Sequence, residues 1–383
     1  MENATPDRGD DERARGLELA VSPPLQTAAL PGTGGRLRAS VEDFQVLEIP
    51  AYAPDDRADA HLMFTLRKRG MTTDSALGEL ARQLDIARRD IGLAGLKDRH
   101  AVTEQWVTVP AACGPALAGF THPAITLGPA RGHGNKLRRG HLRGNRFVIV
   151  IRELAVELAE ARRRVAAKLH ALAEQGGLEN LYGPQRFGHG GRNAARGLAQ
   201  LSSPRAAKRR IKADLITSAG QSALFNLYVL ARRERGLMRT VLLGDILKKT
   251  ATGGMFESSD PVVDQRRLDE GELEITGPIY GSKTRSPAPE TPARALEDEI
   301  LRRCEITREN LTRLGRKVPG TRRAIVLRMT PEDVSVAVAE PSAVAGDESP
   351  TAATTPGIRL GFMLPAGSYA TQLLREIMAP LAP

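Results

Sequence analysis

The chain has 383 residues and a formal net charge of +10, from 55 Lys and Arg against 45 Asp and Glu. With 41% hydrophobic residues it can bury the cores of about two or three domains, which excludes wholesale disorder. No apolar run is long enough to span a membrane, and the acidic, polar N-terminus lacks the apolar stretch of a signal peptide. Its two cysteines, Cys113 and Cys304, fit a reducing cytosol. We therefore expect a cytoplasmic protein with a polyanionic partner, nucleic acid ahead of a membrane surface.

The first half of the chain mixes short strands with helices. Residues 1–30 are polar and lack periodicity, which predicts a flexible tail. Alternating or β-rich segments predict strands over 36–40, 42–49, 61–66, 105–109 and 146–151. Thr72 or Thr73 can cap a helix that runs to Leu84, and a longer helical pattern covers 156–172. Because strands and helices do not alternate strictly, this order favours an α+β sheet over a doubly wound one.

The sequence changes in character from Gly176 onward. Helical spacing predicts helices over 218–237, 295–314 and 371–378, and short apolar runs predict strands over 323–328, 334–338 and 358–364. Residues 281–294 contain three prolines and predict a loop. The low-complexity residues 340–356 predict a second, flexible loop.

One polar loop, Gly95–Gln105, joins two apolar segments, where a loop can present side chains into a cleft. In this loop Asp98 lies between Lys97 and Arg99. Neighbouring cations favour the charged form of a carboxylate, so Asp98 is available as a nucleophile or a base. On the chemistry alone, an exposed charged turn that Asp98 caps is the commoner explanation.

Two basic runs indicate a phosphate backbone as the partner. The first comprises Arg131, Lys136, Arg138, Arg139, Arg143 and Arg146, and the second comprises Arg205, Lys208, Arg209, Arg210 and Lys212. Like charges with interleaved Gly and His suit nucleic acid, although either run could form a solvated loop. Two such runs in one chain favour the nucleic-acid interpretation.

The segment Asn180–Gly188 combines Gln185 and Arg186 with aromatic rings, which offers base stacking and hydrogen bonds to base edges. Alternatively, it is a turn with Tyr182 and Phe187 in the core. The chain lacks a zincin motif, a P-loop, a dinucleotide fingerprint and a GxSxG nucleophile motif, and these absences point away from metals and cofactors.

The chain resembles the TruD-type tRNA pseudouridine synthases in four long motifs, which are GLKDRHAVTEQW (95–106), NLYGPQRFGHGG (180–191), SALFN (222–226) and LPAGSYAT (364–371). The likeness includes GTGG and EDFQVLE between residues 32 and 48, and KLRRGHLRGNRF over 136–147. It therefore covers roughly residues 32–378, an extent that chance matches of short motifs do not reach.

The resemblance implies a discontinuous catalytic domain of the α+β class, with the mixed sheet that pseudouridine synthases share. This domain would comprise residues 31–179 and 317–383. An α/β domain peculiar to the family would be inserted over 180–316, where the character of the sequence changes. Substrate would bind between the two domains.

The resemblance also implies the reaction, which is conversion of uridine to pseudouridine at position 13 in the D arm of tRNA. No cofactor or metal is needed, and we expect a monomer without a protein partner. Asp98 matches the catalytic aspartate; whether its carboxylate attacks the base or the sugar stays open. Phe44 and Phe147 would pack about the base, Asn145 would make a polar contact, and Tyr369 matches a further pocket position. Lys97 and Arg99 would hold phosphate and orient the carboxylate.

Two residues depart from the family pattern. Arg38 replaces the Lys that often precedes the EDF segment, so a bidentate fork replaces a point charge. Tyr369 replaces a common Phe, and its hydroxyl needs a partner or water. Two other functions fit the basic surface: a non-catalytic RNA-binding protein or chaperone, and a nucleotide-dependent RNA methyltransferase. Asp98 argues against the first, since binding alone has no use for a carboxylate facing a polyanion, and the missing glycine-rich cofactor loop argues against the second.

Overall fold

A computed structural model describes residues 8–56, 60–203, 215–341 and 355–379. These residues form sixteen strands and ten α-helices, which divide between two compact units. The strands are β1 (Arg36–Leu37), β2 (Phe44–Pro50), β3 (His61–Arg69), β4 (Gly92–Leu93), β5 (Val102–Pro110), β6 (Ile125–Leu127), β7 (Arg131–His133), β8 (Leu142–Arg152), β9 (Leu178–Glu179), β10 (Ile246–Lys249), β11 (Met255–Glu257), β12 (Leu273–Ile279), β13 (Thr321–Ala324), β14 (Val326–Leu327), β15 (Val334–Ala339) and β16 (Gly357–Pro365). The helices are α1 (Arg8–Val21), α2 (Thr73–Gln83), α3 (Gly114–Ala118), α4 (Leu158–Glu174), α5 (Arg192–Ser202), α6 (Leu215–Glu234), α7 (Pro261–Asp269), α8 (Pro292–Arg303), α9 (Arg308–Leu314) and α10 (Ala370–Met378).

The ten-stranded unit contains the described residues of 29–171, 330–370 and 376–379. Its sheet has the order β15-β16-β8-β2-β5-β3-β6, with β1 paired to β8, β4 to β5 and β7 to β3. The pair β2–β5 is parallel and the remaining pairs in the described sheet are antiparallel. The predicted α+β class with a mixed sheet is therefore confirmed.

Alternation along the central strands sets which side chains are buried. In β2 the buried positions are Phe44, Val46 and Glu48, and in β3 they include Leu66 and Lys68. Successive side chains of a strand point to opposite faces, so Glu48 and Lys68 lie at positions that face the core. The same core receives helix α2, whose Thr72 cap accepts the Ser75 N–H at 3.0 Å.

The four-stranded unit contains the described residues of 8–28, 172–329 and 371–375. Its main sheet has the order β11-β10-β12-β13, and β9 pairs with β14 apart from it. Helix α6 is largely buried, and Gly220 lets it approach Gly197 of α5 so closely that a Cβ on Gly220 would lie 2.5 Å from the backbone there. The predicted insertion over 180–316 falls inside this unit, which is longer at both ends.

The predicted flexible tail over residues 1–30 differs from the structure from residue 8 onward, and residues 1–7 lie outside the described part of the chain. Residues 8–21 form helix α1, and Ala20 is fully buried. The carbonyl of Ala20 accepts a hydrogen bond of 2.8 Å from the buried amide of Asn226, and Arg375 donates to the carbonyl of Pro23. The segment is ordered because α6 and α10 supply these partners, which the local polarity of the sequence did not reveal.

The remaining predicted helices and strands recur with small shifts of their ends. The predicted helix over 295–314 is two helices, α8 and α9, because Glu305 takes the left-handed conformation at φ 53° and stops the helical hydrogen bonding. The predicted strand over 323–328 is divided between β13 and β14. Most of the predicted loop over 340–356 lies outside the described residues. No helix among the described residues is long and apolar enough to cross a lipid bilayer.

Candidate active site

Asp98 occupies the loop between β4 and β5 and keeps 57% of its side chain exposed. Buried neighbours fix the path of this loop. The hydroxyl of Thr73 accepts the backbone N–H of Lys97 at 2.9 Å and donates to the amide oxygen of Gln105 at 3.1 Å. Gln105 in turn donates to the carbonyl of Gly95 at 3.1 Å. The loop is therefore held at both ends while its aspartate faces solvent.

Arg38 holds the carboxylate of Asp98. Its Nη2 donates to Asp98 Oδ2 at 2.6 Å, and its guanidinium carbon lies 4.3 Å from the centroid of the Phe44 ring. A charged donor and a charged acceptor make a strong hydrogen bond, although solvent screens a pair that is this exposed. Arg38 also has φ 57°, a backbone conformation that non-glycine residues rarely adopt, at a cost of order 1–3 kcal/mol. The fork of Arg38 thus positions the carboxylate.

Lys97 points the opposite way from Asp98 and is buried. Its Nζ donates to Glu48 Oε2 at 2.5 Å and to Asn145 Oδ1 at 2.9 Å, and the Lys97 and Glu48 side chains are 5% and 0% exposed. The other oxygen of Glu48 accepts the Trp106 N–H at 3.1 Å. The ammonium is therefore already paired inside the sheet, and the phosphate contact predicted for Lys97 would have to displace Glu48 or Asn145.

Lys68 lies under the same loop and is fully buried. Its Nζ donates to the backbone carbonyl of Asp98 at 2.6 Å and to that of Met71 at 2.7 Å. Burial lowers the pKa of Lys68 to about 8, against the opposing effect of Asp98, and Lys97 lowers it further. Lys68 anchors the main chain of the aspartate, while Arg38 holds its side chain.

The predicted pocket aromatics are placed differently from one another. Phe44 and Phe147 are 3% and 7% exposed, and Phe147 stacks on Phe362 with ring centroids 5.3 Å apart. Neither ring presents an open face, so packing about a base would require Arg38 or Phe362 to move. Tyr369 is half-buried in the turn between β16 and α10, after the end of β16 that pairs with Asn145. Arg99 is exposed beside Asp98.

The predicted RNA contacts outside this loop have mixed outcomes. Tyr182 and Phe187 are buried, and Arg186 donates to the Ser222 hydroxyl at 3.2 Å within the four-stranded unit, as expected of a turn built on core aromatics. Gln185 is exposed in the same turn. In the first basic run Arg131 is paired with Asp56, whereas the side chains of Arg138, Arg139, Arg143 and Arg146 are exposed. The second run, 205–212, lies outside the described residues.

Two residues of the site escaped sequence reasoning, Glu48 and Lys68. A signal for both was present in the sequence, because each continues the alternation of core positions along its strand. A charged residue at a core position is expensive unless paired, and it therefore indicates a built site. Among the described residues, no three His, Cys, Asp or Glu side chains are grouped to hold a metal ion.

The α+β sheet therefore carries an exposed, cation-held aspartate beside a basic surface, an arrangement that suits an enzyme acting on a polyanionic substrate. The family model for tRNA pseudouridine synthase D (TruD) matches residues 24–199 and 202–377. The chain is 44% identical over 361 residues to tRNA pseudouridine synthase D of Anaeromyxobacter sp. (strain Fw109-5), covering 93% of this chain and 95% of that one. With a Thermus thermophilus protein of the same name it shares 41% identity over 366 residues, covering 94% of each chain.

A crystal structure from Methanosarcina mazei that carries the same family name superimposes with a TM-score of 0.72. It covers 96% of this chain and 98% of its own at 21% identity, which supports the fold. The chain belongs to the tRNA pseudouridine synthase D (TruD) family. It is an isomerase that forms pseudouridine in tRNA, as the resemblance of the motifs predicts.

Proposed function

We propose that this enzyme isomerises uridine 13 in the D arm of tRNA and that the carboxylate of Asp98 is its nucleophile. The observation that carries the proposal is the combination of an exposed carboxylate with a loop that is anchored at the backbone. Asp98 can reach a substrate, while Lys68 and Thr73 keep its main chain in place. A nucleophile that is held before substrate arrives avoids the entropy cost of ordering it during the reaction.

The proposed reaction leaves the composition of the RNA unchanged. The carboxylate attacks the nucleoside, the bond between uracil N1 and ribose C1′ breaks, and the base turns. A bond then forms between C5 and C1′ while the bond to the Asp98 carboxylate breaks, the hydrogen of C5 leaves as a proton, and N1 takes up a proton. The uridine has to leave its stack first, at a cost of a few kcal/mol. We assign the half-buried Tyr369 to the uracil base and the exposed Arg99 to the phosphate of the same nucleotide.

Arg38 has a specific task in this proposal. Before attack its guanidinium neutralises the carboxylate, and once an ester bond forms the fork is free for a phosphate or a carbonyl oxygen. The ring of Phe44 lies against one face of the guanidinium, so the plane stays oriented without the carboxylate. We further propose that the enzyme acts in the cytoplasm, where tRNA is modified, as a monomer, which sedimentation of the free protein would test.

The test is a single-turnover reaction with tRNA tritiated at uracil C5, in which a new bond at C5 releases the label. We expect Asp98→Asn to lose more than 99% of turnover and to bind tRNA within a few-fold of the wild type, since an amide cannot attack. Asp74→Asn is the matched control, because Asp74 is also exposed and paired, with Arg88 at 3.2 Å. It should keep turnover within two-fold.

The position in tRNA is tested separately by mass-spectrometric mapping of pseudouridine. A tRNA with cytidine at position 13 should release no label in the wild-type reaction. Release from that RNA would contradict the assignment of position 13 alone. Turnover by Asp98→Asn above one hundredth of the wild-type rate would instead contradict the nucleophile.

A further inference from the structure

A cavity of about 530 Å³ opens in the ten-stranded unit, beyond the ends of β2 and β7. It lies apart from the residues assigned to catalysis and is lined by Tyr52, Asp55, His133, Lys136, Arg138 and His141, among others. Its volume falls in the range of pockets that take small ligands. Two lining residues adjoin strands of the active site. Tyr52 follows β2, which carries Glu48, and His141 precedes β8, which carries Asn145.

His133 is the most unusual group in this cavity, because its buried ring has no hydrogen-bond partner. The side chain is 5% exposed, and neither ring nitrogen makes a hydrogen bond. Its Nδ1 lies 3.3 Å from Asp55 Oδ1, but the two are not aligned for a hydrogen bond, and that oxygen accepts the Gly134 N–H at 3.1 Å. A buried polar group without a partner costs free energy, so the site favours a ligand that supplies one.

Tyr52 orders the two histidines of the cavity. Its ring stacks on His133 with centroids 5.2 Å apart, and its hydroxyl lies 2.6 Å from Nδ1 of His141. Burial raises the pKa of Tyr52, although Arg138 opposes this, so the hydroxyl keeps its proton and can donate it to His141 Nδ1. The proton of a neutral His141 is then on Nε2, which is a donor. The cavity therefore offers donors more than acceptors.

Its charge is also positive. The Nζ of Lys136 donates to the backbone carbonyl of Arg89, a neutral partner, and the side chain of Arg138 is exposed. Within the described part of the chain, no carboxylate lies within ion-pair distance of either cation. By contrast, Arg131 just upstream is held by Asp56 through two hydrogen bonds. Asp55 is the single acidic residue in the described lining, so the two cations outweigh it.

We propose that this cavity binds a phosphate group of the tRNA backbone, at a subsite separate from the Asp98 loop. Phosphate is the anion that the substrate presents at every nucleotide, and Arg and Lys donors with imidazole N–H groups suit it. The cavity is also linked to the active-site loop, since the Gly140 N–H donates to the carbonyl of Ala94 at 2.9 Å. The subsite rests on tRNA as the substrate and is independent of the role of Asp98.

Binding measured against salt concentration tests the contact without relying on turnover. The slope of log K against log salt is negative, and removing one phosphate contact reduces its magnitude by about 0.7–0.9. We expect Arg138→Ala to show this decrease. Arg162→Ala is the matched control, since Arg162 is an exposed arginine of α4 outside the cavity, and its slope should stay that of the wild type. An unchanged slope for Arg138→Ala would overturn the proposal, as would the same decrease in both variants.

A second measurement follows the two histidines of the cavity directly and does not depend on the salt slope. Histidine labelled with ¹⁵N in the full-length protein gives signals that His133→Gln and His141→Gln assign. We expect tRNA and inorganic phosphate to shift both signals, and uridine, which has no phosphate, to leave them in place. A shift with inorganic phosphate alone would show a free-anion site and overturn the RNA assignment. A shift with uridine would overturn it as well, and so would the absence of a shift with all three compounds.

The outcome is distinguishable from failure of the proposed function. Tyr52→Phe removes the hydroxyl that orders His141 and leaves the charge unchanged. We expect tRNA binding about three-fold weaker with an unchanged salt slope, because the ordering of His141 is lost and no charge is removed. Unaltered binding by this variant would contradict the subsite even if wild-type turnover at uridine 13 is confirmed.

Discussion

Two buried ion pairs, one in each unit, look alike and have different surroundings. In the loop network, Lys97 pairs with Glu48 and both side chains are at most 5% exposed. In the Arg232 network, Arg232 pairs with Asp245 and both are fully buried. The guanidinium of Arg232 is bonded to Asp245, Tyr228 and the carbonyls of Leu237 and Thr240. Every bond of Arg232 thus stays within its own helix and the turn that follows.

The loop network differs because the next residue along the chain is exposed. Asp98 follows Lys97 directly, and its main chain is held by the buried Lys68. A buried ion pair is weak evidence for function, since pairs of this kind also fill the interior of structural regions. Function is indicated when such a pair anchors a peptide whose neighbouring side chain faces solvent. Turnover should therefore depend on the loop network and only stability on the Arg232 network.

The largest effects should come from removing the cation of each pair. Arg232→Met and Lys97→Met should each lower the free energy of unfolding by about 3–5 kcal/mol, because each leaves a buried carboxylate unpaired. Arg232→Met should keep the turnover of its folded fraction within two-fold, whereas Lys97→Met should lose at least ten-fold. Urea denaturation and single-turnover tritium release measure the two quantities. In the double variant Glu48→Gln/Lys97→Met, which buries no charge, stability should recover in part and turnover should not.

The second effect is a dependence on pH that Lys68 alone should cause. Its folded-state pKa of about 8 lies below its ordinary value of 10.5, so between these values the unfolded chain binds more protons. Stability of the wild type relative to Lys68→Met should therefore rise with pH, by about 2 kcal/mol from pH 8 to pH 10.5, and stay level below pH 8. Denaturation of both variants across this range would show it.

Turnover should change in the opposite direction over part of the same range. Above pH 8 the ammonium of Lys68 loses its charge and holds the carbonyl of Asp98 less firmly, so we expect the wild-type rate to fall about three-fold by pH 9. Lys68→Arg keeps its charge and should lack this decrease if it folds. A wild-type rate that does not change up to pH 9 would restrict Lys68 to a structural role. The loop network would then resemble the Arg232 network in this respect.

A third effect concerns the exposed partner of the carboxylate. Arg38→Lys should lower single-turnover rates about ten-fold, because a point charge replaces the fork that positions Asp98 Oδ2. The matched control is Arg36→Ala, since Arg36 forms an ion pair of similar exposure with Glu153 at 3.2 Å. Its rate should stay within two-fold of the wild type. Equal losses in both variants would show a general effect of surface charge.

The smallest expected effect is that of removing metal ions. Both networks balance their buried carboxylates with side-chain cations, and the family resemblance implies aspartate chemistry. After dialysis against EDTA we expect turnover within two-fold of the untreated enzyme. Magnesium also folds tRNA, so the comparison needs a short, unstructured RNA as substrate. A requirement for a divalent ion with that RNA would show that the chemistry needs more than these residues.

Sequence reasoning succeeded where the information was local. Alternation predicted the central strands, and the long motif around Asp98 identified the loop on which the carboxylate lies. It failed for Glu48 and Lys97, because their pairing depends on the parallel register of β2 with β5, in which Gln45 lies opposite Val102. Such a register joins segments more than fifty residues apart, so the alternation along β2 can mark Glu48 as a core position but cannot identify its partner.

The failure over residues 1–30 has the same origin. Helix α1 is polar over most of its length, and its order depends on the amide of Asn226, which is about 200 residues away. The burial of Lys97 was missed because a lysine beside an exposed aspartate looks solvent-facing until the partner across the sheet is known. Charge and composition indicate the substrate class correctly, but they do not tell which cations are already paired.

For the proposed nucleophile, Asp98, the anchor of its main chain also limits how the reaction can proceed in space. Lys68 bonds to the backbone carbonyl and leaves the carboxylate alone, so the Cα of Asp98 is a fixed pivot. When Arg38 releases the carboxylate, the side chain can turn only about its Cα–Cβ and Cβ–Cγ bonds. Any intermediate attached to Asp98 is tethered to the loop by those two rotors, and its reach is the length of one aspartate. Whichever part is attached to Asp98, the uracil therefore has to turn and rejoin the ribose within that distance.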